Sequence, residues 1–132
     1  MTFTSTDARI LYSIYQPKQK TEEVSFRDVI SFSDYIDHSI PEYEELSSSL
    51  NRLAHAGVVE VASATVKATP AYKKWLTASF KNKKPVSVYK KMQEIEAYLN
   101  TSFASLLSTI EEKEIISKEE FEKAVNEYLK RV

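Results

Sequence analysis

Ser48, Asn51, Arg52 and His55 follow one another at steps of three, one and three, a spacing that gathers them on one side of a helix. An asparagine amide can pair with the edge of adenine, an arginine fork with guanine, and a carboxylate such as Glu44 or Glu45 can accept from cytosine. These residue types are those that read base edges in a DNA groove. Downstream, no acid occurs from Val61 to Pro85, whereas Lys67, Lys73, Lys74, Lys81, Lys83 and Lys84 fall in that stretch. Lysines so placed can neutralise phosphates and gain affinity by counterion release, without sequence preference. Both sets also fit a plain solvated surface. Acids near a helix start and a base near its end, Glu44 and Arg52 here, each contribute about 0.3 to 1 kcal/mol through the helix dipole.

Other chemistries lack their groups. His38 and His55 stand seventeen positions apart and the chain has no cysteine, so neither a nitrogen nor a thiolate set for a metal is evident. Ser47, Ser48 and Ser49 have no flanking glycines and no histidine-acid pair to activate them. Glu22-Glu23, Glu111-Glu112 and Glu119-Glu120 are sequence neighbours, which on a helix point apart. Gly57 is the single glycine, too few for a phosphate-cradling loop. The expectation is a non-enzymatic chain with no catalytic residues, no cofactor and no metal. The tyrosines at 12, 15, 35, 43, 72, 89, 98 and 128 read as core edges with wet hydroxyls, or as the lining of a ligand pocket between the two halves.

The chain has 132 residues, 42% hydrophobic and 28% charged, with a formal charge of −1. That length suits one domain with a helical appendage. No apolar run nears the roughly 20 residues of a membrane span, and Met1 to Ile10 lacks the pattern of a secretory signal, so the expectation is a soluble cytoplasmic protein without membrane contact. Residues 1 to 85 carry a net +1 and residues 86 to 132 a net −2. A near-neutral total does not announce a nucleic-acid binder; the local layout must decide.

The elements that must position these groups are mostly helices. Thr4 with Asp7 forms a capping box for a helix to about Gln16, striped by Ile10, Leu11, Ile14 and Tyr15 and stopped by Pro17. Ser25 with Asp28 starts a second helix, bearing Phe26, Val29, Ile30 and Ile36. Ser39, Pro41 and Glu42 start a third, over about 41 to 56, in which Tyr43, Leu46, Leu50 and Leu53 face inward. Gly57 should end it in a left-handed conformation. Val58 to Thr69 then reads as a two-stranded hairpin, and Pro70 opens a helix with Tyr72, Trp75, Leu76 and Phe80. The break at residues 81 to 85 marks a boundary between a unit at 1 to 85 and a C-terminal helical extension at 86 to 132. A long helix from about Ser87 to Glu112 carries Val88, Met92, Ile95, Leu99, Phe103, Leu106 and Ile110. That stripe can pack back on the first unit or form the seam of a homodimer, and its length favours the dimer. Ser117 and Glu120 cap a last helix to about Arg131.

Leu46, Leu50 and Leu53, then Gly57-Val58-Val59, then Val66 through Thr69-Pro70 resemble the winged helix-turn-helix domain of bacterial transcriptional regulators. The likeness covers about residues 3 to 80. It implies a mostly α fold of three helices plus a two-stranded wing. It further implies a DNA-binding transcriptional regulator: the helix at 41 to 56 lies in the groove, Ser48, Asn51, Arg52 and His55 touch bases, and the six lysines position phosphates of double-stranded DNA. A homodimer would suit two-fold operators. Ala62 to Ala64 lacks the basic wing tip common in that family, and Glu42, Glu44 and Glu45 put acids on the leading turn. Those departures point to the alternative, a winged-helix module that binds a protein and not DNA. A ligand-sensing regulator, with its cavity between the two halves, is the third reading.

Overall fold

A computed structural model describes residues 1–16, 21–80 and 86–130. Local sequence signals account for most element starts. Helix α1, Ser5–Ile14, begins at Thr4, whose hydroxyl accepts from the Asp7 amide while the Asp7 carboxylate accepts from the Thr4 amide. The same reciprocal box starts α2, Phe26–Asp37, through Ser25 and Asp28, and α6, Lys118–Leu129, through Ser117 and Glu120. At the head of α3, Tyr43–His55, the Glu42 amide donates to Glu45 Oε1 at 3.0 Å.

The end of α3 is a Schellman motif. Gly57 takes φ 76°, its amide donates to the Ala54 carbonyl, and the Val58 amide donates to the Leu53 carbonyl. Leu53 and Val58 are both fully buried, the apolar contact that accompanies this cap. The chain then enters β2, Val59–Ala62, and returns as β3, Thr65–Ala68, pairing Val59 with Ala68 and Ala62 with Thr65. Ser63 and Ala64 form the turn at φ 47° and 68°. Two positive φ values are what a type I′ turn demands, and here they are supplied without the usual Asn-Gly. A third strand, β1 at Glu23–Ser25, pairs with β3, so the antiparallel sheet has the order β1-β3-β2. Three residues are too few for an alternation to register, and Ser25 is read more readily as a helix cap.

Helix α4, Pro70–Phe80, follows the sheet, and α5 spans Val88–Phe103. The long helix expected to Glu112 is shorter: Phe103 leaves the helical region at φ −133° and ψ −2°, a 3-10 segment covers Ala104–Thr109, and Ile110 is extended. The residues beyond Phe103 include Ser105, Ser108 and Thr109, and the Ser108 and Thr109 hydroxyls bond the Ser105 and Leu106 carbonyls. Such local bonds compete with helix continuation.

Much of the stripe expected as a dimer seam lies in this chain's own core. Ile95 and Leu99 are fully buried and Met92 nearly so, in one apolar cluster with Ile10, Leu11, Leu50 and Tyr72. Phe103 and Ile110 pack partly buried on the same cluster, leaving Val88 and Leu106 at 41% exposure. A 16-residue α5 is short enough to serve as a covering helix, which is where its stripe goes. Ile116 and Ala124 join that cluster, so the core crosses the boundary expected at 85, itself beside residues 81–85, outside the described set. Among the described residues no helix is long and apolar enough to cross a membrane.

Candidate nucleic-acid interface

The second half of α3 is tied to α1 by an ion pair whose acid is fully buried and whose arginine is partly exposed. Asp7 is fully buried, and its Oδ1 accepts from Arg52 Nη2 at 2.7 Å, Arg52 Nε at 3.1 Å and Ser49 Oγ at 2.7 Å. Its Oδ2 accepts from the Thr4 amide at 2.9 Å and from Arg52 Nε at 3.1 Å. One carboxylate thus caps α1 and clamps α3. The reason is spacing: Ser49 and Arg52 lie one turn apart on α3, on the side turned toward α1. The guanidinium is committed to Asp7, so the expectation that Arg52 projects outward to a base is corrected.

A strap from Leu106 to Ile116 lies along a neighbouring flank of α3. The Tyr43 hydroxyl donates to the Ile116 carbonyl at 3.0 Å, Asn51 Nδ2 donates to the Glu111 carbonyl at 2.9 Å, and His55 Nε2 donates to the Leu106 carbonyl at 2.9 Å. Positions 43, 51 and 55 share one helix flank. The acceptors are all main-chain carbonyls of a segment that has left α-helical geometry and has carbonyls to satisfy. Leu107 and Ile116 are almost fully buried and pin the strap at both ends, while the Tyr43 and Phe121 rings meet edge-on at 5.7 Å. Asn51, 9% exposed, therefore points at the protein's own chain, correcting its expected role as a free base reader, while His55 is bonded to the strap through Nε2 but stays exposed. Ser48 remains exposed as expected.

The charge around α3 is negative. Glu42, Glu44 and Glu45 are exposed on its leading turn, and the strap adds exposed Glu111, Glu112 and Glu114 against Lys113. A cleft of about 390 Å³ between strap and helix is bordered by His55, Glu111 and Lys113.

The lysines are divided. Lys67 pairs across the hairpin with Glu60 at 3.5 Å, and Lys73 pairs with Glu22 at 3.3 Å while lying 5.4 Å from the Tyr15 ring centre. Lys74 is exposed, and Lys81, Lys83 and Lys84 lie outside the described residues. Behind Lys73, Trp75 stacks on Tyr98 at 4.1 Å and on Tyr72 at 6.3 Å, so its ring faces are already used. Tyr72 is fully buried with no partner for its hydroxyl among the described residues, and burial raises its pKa well above the usual phenol value. Among the described residues, no three His, Asp or Glu side chains gather to hold a metal.

In the sequence Asp7 reads only as a helix cap and Tyr43 only as a core residue, and nothing marks the strap. The signal for Asp7 was present, since a capping acid one helix turn from a fully apolar stripe stands at the edge of the core. Compared with family models, with curated proteins and with solved structures, the chain matches none, so the functional reading rests on its own geometry.

Proposed function

We propose that the chain is a winged-helix interaction module: α3 and the hairpin act as framework, and the protein works by holding a protein partner and not by reading bases. Compatible with this layout are the order α1, β1, α2, α3, β2, β3 and the small sheet. The observation that carries the reading is the engagement of Asn51, Arg52 and His55 within the chain.

The energetics favour it. A bidentate arginine-guanine contact contributes about 1 to 3 kcal/mol of discrimination. Freeing Arg52 for it would leave the Asp7 carboxylate buried without its cation, at a cost of about 3 to 5 kcal/mol. The swap is unfavourable before phosphate meets the acids of α3 and the strap. A DNA-binding regulator is the second reading, supported by exposed Lys74 and the acid-free stretch that contains it.

The test is a salt titration of the full chain against a labelled random duplex. Non-specific DNA binders show Kd values of roughly 10⁻⁶ to 10⁻⁴ M at physiological salt and tighter at low salt. The expected result is no saturable binding in low salt. Saturable binding whose salt slope falls in Lys73→Ala/Lys74→Ala would restore the DNA reading.

A further inference from the structure

Three grooves border α2: one of about 470 Å³ lies on α2 itself, one of about 730 Å³ also meets Val88 and Tyr128, and one of about 410 Å³ lies between the end of α2, α1 and α5. They are adjacent: Ser31 and Tyr35 border the first and second, and Ile36 and Val88 border the second and third. Tyr35 is 77% exposed, Tyr89 at the head of α5 is 73% exposed, and Val88 beside it is 41% exposed. Large side chains this open contribute little to the fold. Ridges of exposed tyrosine over a partly apolar floor, here Phe32, Ile36 and Met92, have the composition of an interface core.

The charge of the grooves narrows the occupant. Asp28, Asp34, Asp37 and Glu96 line them, against Arg9 and His38. Arg9 is spent on Asp37 at 3.1 Å and on Ser33, and Asp28 is bridged to Arg27. Asp34 accepts from the Tyr128 hydroxyl, a bond that raises the Tyr128 pKa, and neither Asp34 nor Glu96 has a basic partner among the described residues. The face is net negative, and tyrosine rings present a negative π surface to cations.

We infer that these grooves dock a lysine- or arginine-rich segment of a partner protein, with aliphatic stems over Tyr35, Val88 and Tyr89 and cations on Asp34 and Glu96. A second copy presenting the same face would set carboxylate against carboxylate, which disfavours a two-fold dimer here. The inference rests on the interaction-module reading and names its surface.

Random peptides of about 16 residues, displayed and selected against the full chain, test it. Enriched sequences should be rich in Lys and Arg. Their affinity should fall about tenfold or more in Tyr35→Ala/Tyr89→Ala and in Asp34→Asn/Glu96→Gln, and hold in Glu44→Gln/Glu45→Gln, with thermal unfolding confirming that each variant folds. Acidic or neutral winners, or no winners, overturn the proposal. So does a concentration-dependent dimer, seen by light scattering, that Tyr35→Ala/Tyr89→Ala abolishes, because the occupant is then a second copy. Winners that bind normally to both groove variants but are lost in Glu44→Gln/Glu45→Gln sink the groove and leave the interaction module standing. Duplex binding without any peptide winner sinks the module itself.

Discussion

Helices α2 and α3 are alike in length, 12 and 13 residues, and each turns an apolar stripe to the core and a polar flank away from it. Their flanks meet opposite fates. On α3 the arginine is spent on a buried acid, and the asparagine and histidine are spent on the strap. On α2 the flank carries Tyr35 at 77% exposure and borders open grooves. Asn51, Arg52 and His55 of α3 are bonded within the chain, although His55 stays exposed, whereas Tyr35 of α2 projects into open grooves. Residue type sets what a side chain can do, while the elements packed beside it decide whether it is free to do it.

The sharpest way to break this contrast is Arg52→Ala. Because Asp7 is fully buried, removal of its cation should destabilise the fold by about 3 kcal/mol or more, measured by urea unfolding. A loss under about 1 kcal/mol would mean that the clamp is slack and Arg52 is available for other work. Next comes the strap. Ile116→Ala removes a fully buried anchor and should cost about 2 to 4 kcal/mol, and a near-neutral result would show the strap to be loosely laid on α3.

Tyr72 sharpens the comparison from inside the core, as a buried polar group without the partners that Asp7 has. Tyr72→Phe should raise stability by about 1 kcal/mol, since it deletes a hydroxyl that burial leaves unbonded. Its pH behaviour has a definite sign. Burial raises the folded-state pKa, so the unfolded chain loses this proton first as the pH passes about 10. Stability that is intact below that pH must fall as pH rises beyond it, and the phenylalanine variant should lack this part of the alkaline loss. If both proteins lose stability in parallel, Tyr72 is not the group responsible. Smallest of all is Tyr35→Ala, which should shift unfolding by no more than about 0.5 kcal/mol. A larger loss would mark the ring as structural and remove it from the open face.

Legibility in the sequence followed range. Thr4 with Asp7, Ser25 with Asp28, Ser117 with Glu120, and Gly57 all act on amides within a few residues, and each sits where the pattern places it. The leucine stripe of α3 and the hairpin behind it were equally readable. Less so was the end of α5, where Ser108 and Thr109 compete locally with a periodicity that continues on paper to Ile110. The destinations of Asn51, Arg52 and His55 were not readable, because their partners lie 60, 45 and 51 positions away.

The amino-acid sequence by itself determined where most helices start, where α3 stops and which stripes turn inward, since those depend on hydrogen bonds and apolar spacing within a turn or two. Ser39, expected to help start α3, bonds Asp37 instead, and Glu42 is the N-cap. Tertiary structure alone decided that most of the α5 stripe closes this chain's own core, that Asp7 holds both α1 and α3, and that Tyr35 is left open. Such outcomes depend on which distant surfaces compete for one another, a choice made by the packed chain as a whole.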